Sequence, residues 1–188
     1  MSGTREQWLA DRVADMKPWF TAAGLDVPSD LRVSCGWPST GALRSSKRRV
    51  GECWSESASA DQHHEIFISP VLSNPLDVLA TLVHELIHAS VGCKHGHKAP
   101  FSRAAKALGL VKPWTATSPG AELAERLNAL IETVPAYPHA SIAANHSRKK
   151  QSTRLLKIEC PSCGYLARIT QKWADVGMPV CPCGSEFQ

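Results

Sequence analysis

The stretch from Val83 to Phe101, VHELIHASVGCKHGHKAPF, sets a His-Glu-x-x-His inside an apolar run, and a helix accommodates both features at once. In a helix His84 and His88 stand one turn apart on one face, about 5–6 Å apart at Cβ. Leu79, Leu82, Val83, Leu86 and Ile87 then gather into a single core stripe. The boundaries are also written in the sequence. Asn74 can cap the N-terminus, Pro75 suits the first turn, Asp77 favours the positive end, and Gly92 is a natural residue just past the C-terminus.

Two imidazoles at that spacing can reach one ion at roughly 2.0–2.1 Å. Glu85, about 100° further round the helix, is too far aside to be an equivalent ligand. It can still take a proton from a water beside the metal. With 8 His in 188 residues, composition alone produces the motif only about 0.02 times per chain. A catalytic zinc keeps one position open and takes three protein ligands. The third must come from chain that turns back past Gly92. His95, in the loop GCKHG, and His97, just ahead of a helix beginning near Pro100, both qualify.

Of the seven cysteines, Cys160, Cys163, Cys181 and Cys183 crowd the C-terminal stretch, while Cys35, Cys53 and Cys93 are scattered. An odd total argues against a disulfide framework and for metal binding by the clustered set. CPSCG followed by CPCG reads as two knuckles clamping a structural zinc, with the second knuckle one residue short of the usual spacing. Two zincs per chain are expected. Cys35 reads as a core cysteine, Cys93 as an adventitious metal neighbour, and His63 with His64 as an exposed pair at a strand start or an oxyanion donor.

Along the rest of the chain, TREQWLADRVADMKPWFTAAGL has helical periodicity ending at Gly24. LRVSCGWPS, RRVGECWSESA and HHEIFISP read as a short meander of about three strands around a basic loop. Further helices are expected over APFSRAAKALGL and SPGAELAERLNALIETV. PAYPHASIAANHSRKKQST loses periodicity and gains Pro, Ser and positive charge, as a linker does. The expected organisation is a catalytic part over 1–134, a basic linker over 135–152 and a zinc ribbon over 153–188, in the α+β class.

The N-terminus carries charge from its fifth residue and lacks an apolar signal segment. The most apolar run, LATLVHELIHASV, is interrupted by His84, Glu85 and His88 and is too short to cross a bilayer. The expectation is a cytoplasmic protein with no membrane partner. Net charge is only +4, so nucleic-acid contact would rest on local clusters. One is LRSSKRR. The other comprises Arg148, Lys149, Lys150, Arg154, Lys157, Arg168 and Lys172, with Tyr165 and Trp173 as stacking surfaces or, equally, as the ribbon's core.

HELIHA, then a short loop, then HKAPF resembles the SprT-like (Spartan-type) zinc metalloproteases. Phe101 stands four residues after His97, as the aromatic of that family's third-ligand motif follows its His. Lys98 occupies the position where the family has Gly, with Gly96 ahead of the His instead, so His95 stays as the alternative. The resemblance implies a minimal zincin-like fold with a small, mostly antiparallel sheet, and His84, His88 and His97 as ligands with Glu85 as general base. It also implies a C-terminal ribbon. Members include DNA-dependent proteases that clear proteins crosslinked to DNA. The implied activity is a zinc endopeptidase acting on protein or peptide substrate, with DNA, single-stranded favoured, as partner. A substrate strand would add to a sheet edge at Cys53–Ala60 or Glu65–Ser69. The competing reading is a nucleic-acid-binding zinc-ribbon protein with an inert histidine site.

Overall fold

The computed structural model describes residues 3–43, 47–143 and 154–188. The chain divides into two compact units, Met1–Asn145 and His146–Gln188. Both α-helix and β-strand are present, so the class is α+β.

In the first unit, α1 (Arg5–Ala22) is capped by Thr4, whose hydroxyl accepts the Gln7 backbone N–H at 3.1 Å. It ends where Gly24, at φ +71°, lets Gly24 N–H and Leu25 N–H reach back to the carbonyls of Thr21 and Phe20. Its inner stripe is Trp8, Leu9, Met16 and Phe20. β1 (Leu31–Cys35), β2 (Gly51–Trp54) and β3 (His64–Ile68) form one sheet in the order β1-β3-β2. β1 runs parallel to β3, with Val33 opposite Ile66, and β2 runs antiparallel to it, with Cys53 opposite Ile66.

This sheet is not the expected meander, in which sequential strands would be neighbours. Ile66 and Ile68 are both 0% exposed, and burial that complete calls for a strand covered on both flanks. The long connection from 36 to 50 carries the chain to the far edge and leaves the centre to β3. Glu65–Ser69 is therefore not an edge onto which a substrate strand could add, whereas β2 is at the edge.

α2 (Pro75–Val91) runs beneath the sheet, its N-terminus capped by the Asn74 side chain on Leu76 N–H (2.9 Å) and Asp77 N–H (3.3 Å). Leu79, Leu82, Val83, Leu86 and Ile87 are all buried, each side chain contributing roughly 1.5–3 kcal/mol. Gly92 ends the helix at φ +93°. α3 (Ala99–Ala107) and α4 (Ala121–Thr133) pack against α2, separated by the small hairpin of β4 (Leu110–Val111) and β5 (Ser118–Pro119).

The segment from 135 is not linker throughout. The Trp8 indole N–H donates to the Pro135 carbonyl at 2.7 Å, and Tyr137 is buried with its ring 4.8 Å from that of Trp8. The Pro70 carbonyl receives both His139 Nε2 and the Ile142 backbone N–H at 2.8 Å. Pro135 and Pro138 erase helical periodicity, yet an extended strap can bury one aromatic and satisfy its backbone against a fixed surface.

The second unit pairs β6 (Leu155–Glu159) with β7 (Leu166–Thr170) and follows with α5 (Gln171–Ala174). Its core is Ile158, Cys160, Cys181 and Phe187. Among the described residues no helix is long and apolar enough to cross a membrane.

Candidate metal centres

His84 and His88 lie mid-helix on α2, their ring centroids 5.1 Å apart. After α2 a tight turn over Cys93–His95, closed by His95 N–H on the Gly92 carbonyl and Lys98 N–H on the His95 carbonyl, reverses the chain into α3. That reversal brings His97 Nε2 to 3.1 Å from His84 Nε2 and 3.2 Å from His88 Nε2. On a tetrahedral ion with metal–nitrogen bonds of roughly 2.0–2.1 Å the nitrogens sit about 3.3 Å apart. His97 Nε2 therefore lies close to the spacing that such an ion requires from each of the other two, and all three ligand atoms fall within 4.8 Å of one another. His84, His88 and His97 form one of the groups able to hold a metal, and His95 is not part of it.

Phe101, 0% exposed on α3, touches all three rings, with centroids 4.7, 4.5 and 4.9 Å from His84, His88 and His97. It is the platform that sets their mutual angles. Burial pushes the His84 imidazole down to about 3 and His88 to about 4, and lowers His97 as well. All three are thus held neutral, the form in which a ring nitrogen coordinates a metal.

Glu85 is not one of this trio. Its carboxylate is buried against β2, where a side chain on Gly51 would collide with Glu85 Oε1 and come within 2.6 Å of Thr81 Cγ2. Only glycine lets the strand approach so closely. Burial pushes the Glu85 carboxyl up to about 8, against the pull of the Arg49 cation. Arg49 is held by Glu52 at 2.6 Å, and Glu52 also receives the Ser39 N–H and hydroxyl and the Trp54 indole.

Sequence reasoning missed Thr117. Its hydroxyl lies 2.8 Å from His84 Nδ1, the ring nitrogen left over once Nε2 faces the ion, and such a partner fixes ring orientation and tautomer. It stands 33 residues from His84 in a turn before β5, and no spacing rule connects the two. His64 is not the exposed residue expected: it is buried, with Nε2 2.9 Å from Glu56. Cys93 stands outside the histidine trio, with its sulfur 3.4 Å from that of Cys53.

The second group is Cys160, Cys163, Cys181 and Cys183. Sulfurs of Cys160 and Cys183 are 3.4 Å apart, and those of Cys163 and Cys181 3.5 Å apart. A tetrahedral ion with bonds of about 2.3 Å would space them roughly 3.8 Å apart, a small outward adjustment. Gly164 N–H closes the first knuckle on the Cys160 carbonyl, four residues back. Gly184 N–H closes the second on the Cys181 carbonyl, three back. The short second knuckle is thus a tighter turn of the same design, each ending in a glycine at positive φ.

Of the basic residues singled out in the sequence, Arg148, Lys149 and Lys150 lie outside the described residues. Lys157 and Arg168 are direct cross-strand partners on the outer face of the β6–β7 hairpin. Arg154 adjoins the strand end where Leu155 pairs with Thr170, the end from which Lys172 follows. Tyr165 and Trp173 are 56% and 59% exposed. They are not the core, which Ile158 and Phe187 supply.

Comparison with protein-family models, with curated proteins and with solved structures finds no match.

Proposed function

We propose that this chain is a zinc-dependent endopeptidase of minimal zincin-like design, acting on DNA-associated or DNA-crosslinked proteins, with a C-terminal zinc ribbon as its docking module. The observation that carries the reading is the convergence of three neutral imidazoles, His97 Nε2 lying 3.1–3.2 Å from Nε2 of His84 and of His88, with the adjacent Glu85 left out of the trio. A purely structural site would gain nothing from burying an extra carboxylate beside three metal ligands.

His84, His88 and His97 would hold the catalytic zinc, and the four cysteines a structural one. Zinc at the histidine site supplies Lewis-acid polarisation of a carbonyl and of water. Glu85 takes the proton of the attacking water and returns it to the leaving amine. Thr117 keeps the His84 ring in register, and Phe101 fixes the angle of all three imidazoles. β2, at the sheet edge and in contact with Glu85 through Gly51, is the strand onto which an extended substrate can add, its backbone hydrogen bonds holding a peptide carbonyl near the ligands.

The DNA component rests on the resemblance to the SprT-like proteases and on the second unit's outer face. The second unit carries cross-strand cations at Lys157, which also meets Glu159 at 3.3 Å, and Arg168, together with the exposed rings of Tyr165 and Trp173, the chemistry suited to unpaired bases.

The test is cleavage of a DNA-binding protein by the full chain, alone and with single-stranded or duplex DNA, scored by new peptide termini. Cleavage stimulated by single-stranded DNA and abolished by a zinc chelator is expected. Tight DNA binding with no cleavage in any arm would replace this reading with that of a nucleic-acid-binding zinc protein.

A further inference from the structure

We propose that Cys53 and Cys93 form a redox-reversible dithiol that a hydroperoxide converts to a disulfide, fastening β2 to the turn that carries His97. The inference stands on geometry separate from the metal ligands and holds whether or not the histidine site is catalytic.

β2 alternates its side chains. Gly51 and Cys53 face α2, whereas Glu52 and Trp54 face outward and bond each other. Cys53 thereby meets Cys93, the first residue of the turn after Gly92. Their sulfurs lie 3.4 Å apart, and Cys93 Sγ is also 3.6 Å from the Cys53 carbonyl. A disulfide needs roughly 2.05 Å, so the two sulfurs must close by about 1.3 Å. Both residues are half-buried, leaving a path for a small oxidant. Among the described residues, neither belongs to a group able to hold a metal.

The pair bridges two parts of the first unit that matter to the histidine site. On one side is the strand packed on Glu85. On the other is the turn between the second ligand and the third. In the oxidation, one thiolate attacks the peroxide oxygen, forming a sulfenic acid and releasing hydroxide, which takes up a proton to become water. The second thiol then attacks the sulfenic sulfur, its proton leaving with the displaced hydroxyl as a second water. Two thiols and one peroxide give one disulfide and two waters, and an external dithiol reverses the change.

The experiment treats the zinc-loaded full chain with hydrogen peroxide, alkylates the remaining thiols and maps peptides without reduction. The expected product is a single cross-link between the peptides containing Cys53 and Cys93, lost on dithiothreitol treatment. Cys53→Ser and Cys93→Ser should each abolish it, and each should leave a sulfenic acid that dimedone traps on the remaining partner. The same oxidised protein should surrender one of its two zincs to a chelator several-fold more slowly than the reduced protein. Full alkylation of both cysteines after peroxide, or cross-links formed among the four C-terminal cysteines instead, would overturn the proposal. An unchanged rate of zinc release would overturn the tether. Mapping the wild-type protein decides the matter even where a variant folds poorly.

Discussion

The Thr117 hydroxyl sits 2.8 Å from Nδ1 of His84, tying one member of the histidine trio on α2 to the turn before β5. A metal-binding imidazole gains orientation and basicity from the group on its other nitrogen. Thr117→Val keeps the shape and removes the partner. It should weaken metal binding at the histidine site by roughly 10–100-fold, while Thr117→Ser should retain most of it. Competition with a chromophoric chelator measures both.

Metal stoichiometry separates the two centres. The chain as purified should carry two zincs. His84→Ala should lose one of them with the C-terminal unit intact. Cys160→Ser should lose the other and unfold that unit, because Ile158, Cys160, Cys181 and Phe187 are the buried core among its described residues and metal binding supplies its folding energy. Elemental analysis with limited proteolysis reads both outcomes.

The low proton affinity of the buried imidazoles fixes the direction of a pH effect. With His84 down to about 3 and His88 to about 4, protons compete with the metal only when the pH approaches that range. Acid release from the native histidine site should therefore occur well below pH 6, where an exposed trio would already have let go. The metal-free protein behaves differently. Its unfolded chain binds protons at these histidines below about 6.5 and the folded one does not, so its stability should fall as pH drops from about 6.5 towards 4. Zinc retention and thermal unfolding across pH test the two halves.

Glu85 carries a stability cost of the opposite sign. Its folded value is raised from 4.5 to about 8, so its own contribution to the metal-free protein's stability is most favourable while Glu85 is protonated, below about 4.5. It loses that advantage as pH rises towards 8. At pH 7 the cost is at most about 3 kcal/mol. Glu85→Gln should leave metal-free stability at pH 7 equal or higher and flatten its decline between pH 5 and 8, as thermal denaturation can show.

Gly51 is the point where β2 reaches Glu85, the proposed general base. A Cβ there would press on Glu85 and lie 2.6 Å from Thr81 Cγ2. Gly51→Ala should cost about 1–3 kcal/mol through overpacking and displace Glu85. Chemical denaturation and peptidase rate should fall together.

Much of this was readable before any coordinates. The helix bounds at Asn74, Pro75 and Gly92 follow from local backbone chemistry, as does the buried stripe of α2. The cysteine knuckles are equally local. His97, fixed just ahead of the helix near Pro100, is better placed than His95 in its looser loop, and the family resemblance strengthens that preference. What escaped was set by long-range packing. The order β1-β3-β2 depends on which strand must be covered on both flanks. Tyr137 is buried because Trp8, more than a hundred residues earlier, offers it a surface. Thr117 reaches His84 across 33 residues. The exposure of Tyr165 and Trp173 follows from Ile158 and Phe187 already filling the small interior of the second unit.

The most direct test compares wild type and Glu85→Gln, each verified to hold two zincs, on the same protein substrate under single-turnover conditions. Wild type should cut it, and the variant should bind it and leave it whole, with the rate down by at least about 100-fold. Equal cleavage by the two zinc-matched proteins would contradict the account.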